Sequence, residues 1–128
     1  MQDVAVNPAD LEEALWCWCC DARLNGVPAA QAGLLRVRAG DSREVLRRVY
    51  ELYANTGSLQ ELRVFAAAGS ARDAFYALLY EGLYEEARSD ADAARTAILA
   101  ACASAYGQQS GDYMATVART HARVRGWS

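Results

Sequence analysis

The side chains of this 128-residue chain that could do chemistry are few, and they begin with one histidine, His121. His121 and Cys102 could act as base and nucleophile if the last helix packed on the helix before it. A single histidine on the apolar face of a helix is more often a core residue that makes one hydrogen bond. The chain also lacks a glycine-rich phosphate loop and a histidine pair at metal-ligand spacing. We therefore expect no catalytic residue and no enzyme activity.

Three of the four cysteines, Cys17, Cys19 and Cys20, fall within one predicted helix. Cys17 and Cys20 are one turn apart and could both touch a metal ion, but a closed zinc site needs four ligands. No other cysteine or histidine lies close enough in sequence to complete it. Free cysteine is usually buried, and Trp16 and Trp18 are neighbours, so we predict apolar packing, no metal and no cofactor. A thiol-dependent enzyme or redox sensor is the open alternative.

Tyrosines form the pattern that most favours binding. Tyr76, Tyr80 and Tyr84 recur every fourth residue, and Tyr50 and Tyr53 lie in the preceding predicted hairpin. Tyrosine offers a large contact area and a polar tip while losing little rotamer entropy, which suits it to hold a peptide. We predict that these five residues bind a partner. The competing interpretation is that the rings fill the space between adjacent helices.

All thirteen basic residues other than histidine are arginines, and seven of them fall into two groups that could bind a partner. Arg119 and Arg123, at i and i+4 of the last predicted helix, could receive an acidic partner segment or complement the helix C-terminus. The other group is Arg36, Arg38, Arg43, Arg47 and Arg48. It motivates an alternative hypothesis, an RNA-binding helical repeat, but the net charge of −3 and pI near 5.1 argue against nucleic acid.

Seven helical segments should position these residues, divided by glycines, prolines and capping residues. They are predicted to begin near Pro8, Pro28, Ser42, Ser58, Ser70, Asp90 and Asp112. The first five are predicted to end near Asn25, Leu35, Gly57, Ala68 and Arg88. The polar segment Ala105–Gly111 is predicted to be a loop before the last helix.

The apolar spacing within these helices predicts how they pack. The first helix has an apolar stripe, Leu11, Ala14, Leu15, Trp18, Cys19 and Ala22. Beside its tyrosines, the fifth carries Phe75, Leu78, Leu79, Gly82 and Leu83. A helix that must be covered on two sides is typical of stacked helical hairpins. The sixth presents mainly small residues, Ala94, Ile98, Ala101 and Cys102, which favour close packing. The last should bury Met114, Val117, Ala118, His121 and Val124.

The segment Leu78–Ala101, LLYEGLYEEARSDADAARTAILAA, resembles the tetratricopeptide repeat, with Gly82, Ala94, Ile98 and Ala101 at its signature positions. The hairpin Glu44–Ala68 resembles a second copy, since aligning Gly57 with Ser89 gives a shift of 32 residues, close to the roughly 34-residue period of such arrays. The FYALLYEGLY and YMATVARTH blocks are also similar to helical-repeat proteins of bacteria, plants and algae. The resemblance implies an all-α, right-handed superhelix of antiparallel hairpins, a TPR-like α-solenoid of six to seven helices. It also implies a non-enzymatic protein-protein interaction scaffold or assembly subunit that binds a partner peptide or surface.

Length and composition set the remaining expectations. The chain is 53% apolar and long enough for a single domain over residues 1–128. No window approaches the roughly 18 apolar residues of a membrane span, so we expect no membrane partner. Uneven cysteine spacing favours a reducing compartment, hence a soluble intracellular protein of the cytoplasm or an organelle stroma. Short helical arrays expose apolar ends, which predicts a homodimer through Trp16 or Trp127.

Overall fold

The computed structural model describes residues 8–34 and 44–127, except for the side chains of residues 8–11. Every regular element in these ranges is an α-helix, which confirms the predicted all-α class. The helices are α1 (Pro8–Asn25), α2 (Val27–Leu34), α3 (Glu44–Tyr53), α4 (Leu59–Ala68), α5 (Ala71–Ala87), α6 (Ala91–Ala103), α7 (Ala105–Gln109) and α8 (Tyr113–Val124). Among them, no helix is both long and apolar enough to cross a bilayer.

The described residues contain eight helices, so the predicted count of six to seven is too low. The additional helix is α7, which lies inside the segment Ala105–Gly111 that was predicted to be a loop. Ser104 caps α7 by accepting a hydrogen bond from the Gly107 N–H. A Cβ at Gly107 would collide with the Ala101 carbonyl oxygen, so the turn requires glycine there. A single turn has no apolar periodicity for sequence analysis to detect.

The helix caps predicted from the sequence are largely present. Ser70 and Asp73 form a complete capping box at the start of α5, and Asp90 caps α6. At α4, Ser58 Oγ accepts the Glu61 N–H at 3.1 Å and also lies 3.4 Å from the Glu61 carboxylate. The predicted boundaries at Leu35 and Ser42 lie outside the described residues.

The chain divides into two compact units, residues 1–62 (unit 1) and residues 63–128 (unit 2). In unit 1, α1 packs against α2 and α3. The Trp18 and Tyr53 rings meet at the centre, with centroids 4.3 Å apart. The large side chains that are completely buried with them include Leu15, Leu46 and Val49. Unit 1 therefore has an aromatic core surrounded by aliphatic side chains.

Unit 2 is built on the α5–α6 hairpin, whose two helices make the most extensive helix pair contact in the described chain. A Cβ at Gly82 would lie only 2.6 Å from Ile98 Cδ1 and 3.3 Å from the Ala94 carbonyl oxygen. The absence of a side chain at Gly82 thus allows the helices to approach closely. This confirms the predicted close packing of the small-residue helix. The helices α7 and α8 pack against this hairpin.

Candidate functional site

The structure places most of the predicted partner-binding tyrosines in the core. Tyr53 and Tyr80 have no exposed surface and Tyr76 is 4% exposed. Tyr76 and Tyr80 stack with their ring centroids 6.4 Å apart. Only Tyr50 and Tyr84 of the five are partly exposed. Partner binding by the five tyrosines stays a prediction, and the buried three contribute to packing.

The two half-buried tyrosines differ in their surroundings. Burial raises the pKa of the Tyr50 hydroxyl. The Arg88 guanidinium lies 5.1 Å from the centroid of the Tyr84 ring, and its Nη1 is 3.4 Å from the Tyr84 hydroxyl. Arg88 therefore covers part of Tyr84 by a cation–π contact at the end of α5.

Two tyrosines and one aspartate form a polar cluster that connects α5, α7 and α8. Asp112 Oδ2 accepts hydrogen bonds from the Tyr76 hydroxyl at 2.9 Å and from the Tyr106 hydroxyl at 2.5 Å. Asp112 Oδ1 accepts the Met114 N–H at 2.8 Å, which is the predicted cap of α8. Sequence analysis identified the cap but not the tyrosines, because Tyr76 is far away in sequence.

The charges of this cluster suit a structural role better than catalysis. Burial alone would raise the pKa of the Asp112 carboxyl, but hydrogen bonds from Tyr106, Met114 and Tyr76 outweigh it and lower the pKa. The hydrogen bond to Asp112, followed by burial, raises the pKa of the Tyr106 hydroxyl. The carboxylate thus stays ionised and the phenol stays protonated at neutral pH, so neither is poised to transfer a proton.

A second cluster is centred on Glu86 and joins the ends of α5 and α8. Arg125 binds both carboxylate oxygens, with Nε 2.6 Å from Oε2 and Nη2 3.1 Å from Oε1. Its hydrogen bond with Glu86 raises the pKa of the Arg125 guanidinium. His121 Nε2 lies 3.1 Å from Glu86 Oε1, and the His121 ring contacts the Trp127 ring. His121 thus lies beside Glu86 and Trp127, and its predicted structural role stays a prediction.

A second bidentate pair joins α4 to α5 within unit 2. Arg63 Nη2 lies 2.8 Å from Glu81 Oε2 and Arg63 Nε lies 3.2 Å from Glu81 Oε1. Glu81 is only 9% exposed, and its hydrogen bond raises the pKa of the Arg63 guanidinium. Glu81 and Glu86 are thus both used to hold helices together.

The cysteines behave differently from the prediction of buried packing. Cys17 and Cys20 are exposed, so that prediction is wrong for them, and Cys102 is half-buried. The buried stripe of α1 contains Leu15 and Trp18, and Cys17 and Cys20 point away from it. Burial raises the pKa of the Cys102 thiol despite the opposing field of Arg119. A raised pKa disfavours the thiolate that a nucleophile requires.

The described residues contain no group of three or more His, Cys, Asp or Glu side chains that could hold one metal ion. On α3, Arg47 and Arg48 lie beside Glu44 and Glu51, which offset their charge. These four side chains line an open depression of about 190 Å³. Arg36, Arg38 and Arg43 of the predicted basic group lie outside the described residues.

The outward side of α8 carries the most distinctive exposed surface of unit 2. Its inward side is Met114, Ala115, Ala118 and Ala122. On the opposite side, Tyr113 is 77% exposed and Val124 is 71% exposed. Val117 and Thr120 lie between them at spacings of four, three and four residues, which places all four on one line. The prediction that Val124 is buried is wrong, because the core contacts of α8 are made by its alanines.

Arg119 and Arg123 follow one edge of this line, as predicted from their i, i+4 spacing. Arg119 Nη1 donates to the Gly107 carbonyl at 2.9 Å and its Nη2 lies 3.2 Å from Thr116 Oγ1. Arg123 is exposed, and no ion pair holds it within residues 44–127. The α8 sequence contains no acidic residue. We call Tyr113, Val117, Thr120, Val124, Arg119 and Arg123 the α8 outer face.

Comparisons of the chain with protein-family models, with curated proteins and with solved structures give no match.

Proposed function

We propose that this chain is a non-enzymatic protein-interaction domain that binds a partner segment through the α8 outer face. The observation that carries the proposal is the pair of large exposed apolar side chains, Tyr113 and Val124, on one line of a helix that is flanked by arginine. Tyrosine and arginine are enriched in protein interfaces. An exposed apolar line with a charged edge is the pattern of a helix that pairs with another helix.

The charges of the α8 outer face select the chemistry of the partner. Arg119 and Arg123 have no acidic residue on their own helix. Arg119 is held in place by Gly107 and Thr116, so little side-chain entropy is lost when it pairs with a carboxylate. The matching partner is an amphipathic helix with apolar residues along one side and glutamate or aspartate beside them.

The finer fold that fits this function is a TPR-like superhelix, which we also propose. Its support is the α5–α6 hairpin, where Gly82 and Ile98 meet as the small and bulky residues of the repeat signature should. In that family a closing helix often follows a helix pair, and α8, which is separated from the α5–α6 pair by the short helix α7, resembles such a helix.

The competing functions have less support. An RNA-binding surface needs an excess of basic side chains, and on α3 each arginine is balanced by a glutamate. A thiol enzyme using Cys102 needs a lowered thiol pKa, and burial raises it.

The test uses a synthetic acidic amphipathic peptide with leucines at i, i+3, i+4 and i+7 and glutamates beside them. Its binding to the full chain is measured by isothermal titration and mapped by amide chemical shifts. We expect shifts along α8, and an affinity loss of about tenfold or more for Tyr113→Ala with Val124→Ala, which corresponds to roughly 1.4 kcal/mol.

Matched controls separate this surface from general stickiness. Val64 on α4 is 58% exposed, and Val64→Ala should leave peptide binding unchanged. Arg123→Glu should weaken binding of the acidic peptide. It should not weaken binding of a control peptide in which glutamine replaces each glutamate. Equal binding by all variants, or shifts located away from α8, would refute the proposal. Binding of an RNA oligonucleotide in place of the peptide would favour the RNA-binding alternative.

A further inference from the structure

The exposed thiols of α1 have no part in the proposed protein interaction. Cys17 and Cys20 are one helical turn apart and are both exposed to solvent. Cysteine is among the residue types most often buried, so two adjacent exposed thiols are unusual. Leu15 and Trp18 on the opposite side of α1 are buried, which fixes the helix orientation and keeps both thiols outward.

We propose that Cys17 and Cys20 form a two-sulfur site for a soft monovalent cation, copper(I). Residues three apart on a helix have Cβ atoms about 5 to 6 Å apart, so two sulfurs can approach one ion between them. Thiolate ligands select soft metals such as copper(I). Zinc would need four ligands, and the described residues provide no cluster of three.

The geometry favours a bridging ion over a direct disulfide. A disulfide requires Cβ atoms about 3.5 to 4.5 Å apart, which is closer than the i, i+3 spacing of a regular helix. An ion between the sulfurs allows the longer separation and leaves α1 undistorted. Binding involves no oxidation, since two thiols release two protons as two sulfur–copper bonds form.

Acidic side chains lie near the two thiols. Glu13 is exposed one turn before Cys17, and Asp21 lies one turn after it on the same helix. Arg23 is the single basic residue of α1, and the helix carries more acidic than basic side chains. A copper(I) ion bound to two thiolates has a net charge of −1, so the ion removes part of the repulsion between two ionised sulfurs.

The experiment titrates the full-length chain, reduced and without oxygen, with copper(I) in competition with the chelator bathocuproine disulfonate. We expect one tightly bound copper(I) per chain. Cys17→Ser and Cys20→Ser should each lower the affinity at least tenfold, while Cys19→Ser and Cys102→Ser should leave it unchanged. Because Cys17 and Cys20 are exposed, circular dichroism of their variants should match the original chain.

The site fails as proposed if the chain does not compete with the chelator. It also fails if Cys102→Ser or Cys19→Ser weakens binding as much as Cys17→Ser does. Sedimentation supplies a further check, since a copper-loaded chain at twice the monomer mass would mean that the ion bridges two copies instead of two thiols of one helix. None of these outcomes depends on the α8 outer face, so the two proposals stand or fall separately.

Discussion

The cores of unit 1 and unit 2 use different kinds of contact. In unit 1 the Trp18 and Tyr53 rings are in contact with an angle of 35° between their planes, and both are almost fully buried. In unit 2, α5 and α6 approach closely where Gly82 leaves room for Ile98. Large rings stabilise mainly through the apolar area that they bury, whereas a glycine contact stabilises through close fit. The same type of substitution should therefore have different effects in the two units.

The ion pairs of the two units also differ, because those described in unit 1 lie within one helix and two of those in unit 2 join different helices. In unit 1, Arg48 and Glu44 lie four residues apart on the same helix, with Arg48 Nη2 3.1 Å from Glu44 Oε2. In unit 2, Arg63 and Arg125 each bind a carboxylate of another helix with two hydrogen bonds. Pairs within a helix support that helix alone, but pairs between helices fix their packing. The predictions below test this contrast, from the largest expected effect to the smallest.

Removing the aromatic centre of unit 1 should have the largest effect. Trp18→Ala deletes a side chain that is 2% exposed and leaves a cavity beside Tyr53. We expect a loss of about 3 to 5 kcal/mol in the free energy of unfolding, measured by urea titration. Trp16→Ala is the control in the same helix, where the side chain is only half-buried and the loss should be smaller. Equal losses for the two variants would contradict an aromatic core centred on Trp18.

Removing the Asp112 carboxylate should have the next largest effect, in unit 2. Asp112→Ala takes away the α8 cap and the acceptor of the Tyr76 and Tyr106 hydroxyls. We expect a loss of about 2 kcal/mol, since a cap contributes about 1 kcal/mol and buried hydroxyls then lack an acceptor. Asp112→Asn keeps a capping side chain without the charge and should lose less. In Asp112→Ala, the amide hydrogens of α8 should exchange faster than they do in the original chain.

The pH dependence of the Asp112 contribution has a definite sign. The folded-state pKa of Asp112 lies below its ordinary value of 3.8, so the ionised form is favoured by folding. Its contribution is therefore complete above about pH 3.8 and is lost as the pH falls through the folded-state pKa. The stability difference between the original chain and Asp112→Asn should shrink over that acid range. A difference that grows on acidification would show that the carboxylate is not held in its charged form.

Replacing glycine by alanine should change the free energy of unfolding in opposite directions in the two units. At Gly82 the new methyl group would lie 2.6 Å from Ile98, and we expect a net loss of about 1 to 2 kcal/mol. At Gly33 in α2 the nearest atom would be Asp21 Oδ2 at 3.7 Å, an ordinary contact. Gly33→Ala should therefore gain about 0.5 to 1 kcal/mol through helix propensity. Thermal unfolding measures both effects: the midpoint temperature should fall for Gly82→Ala and rise for Gly33→Ala.

A second substitution identifies the contact responsible. Ile98→Ala removes both atoms that the new methyl group at position 82 would strike. In that background Gly82→Ala should become neutral or stabilising, because it fills part of the new cavity. If Gly82→Ala costs the same with and without Ile98, the close approach of α5 and α6 is not what requires glycine.

Helix starts could be predicted from the sequence because their causes are local. Ser70, Asp90 and Asp112 each bind an N–H two or three residues ahead, within the span of a short motif. The short helix α7 could not be predicted in this way, since it depends on contact between Gly107 and the end of α6. The exposure of Cys17 could have been predicted from the sequence, because Cys17 falls outside the apolar stripe that contains Leu15 and Trp18.

Contacts between distant residues were beyond the sequence. Glu86 and Arg125 are 39 residues apart, and Tyr76 and Asp112 are 36 apart. Each has several chemically equivalent partners in the chain, so only the packing of the helices selects one. The same limit applies to the α8 outer face. Periodicity predicted that Val124 lies on the apolar side of α8 with Met114. In the structure, Met114 and the alanines of α8 make its core contacts, and Val124 is exposed to solvent.

The smallest expected effect compares one arginine from each unit. Arg63→Ala breaks two hydrogen bonds to Glu81, a buried carboxylate that then has no guanidinium beside it. Because the Arg63 side chain is itself 55% exposed, solvent screens the pair and we expect a loss of only about 1 kcal/mol in the free energy of unfolding.

Arg48→Ala breaks exposed pairs within α3 and should cost about 0.5 kcal/mol or less. Raising the salt concentration to 1 M should reduce the small Arg48 effect further and leave most of the Arg63 effect. If Arg48→Ala proved as costly as Arg63→Ala in urea titrations, exposed pairs on one helix would stabilise this chain as much as pairs that join two helices, and the contrast between the units would be limited to their apolar cores.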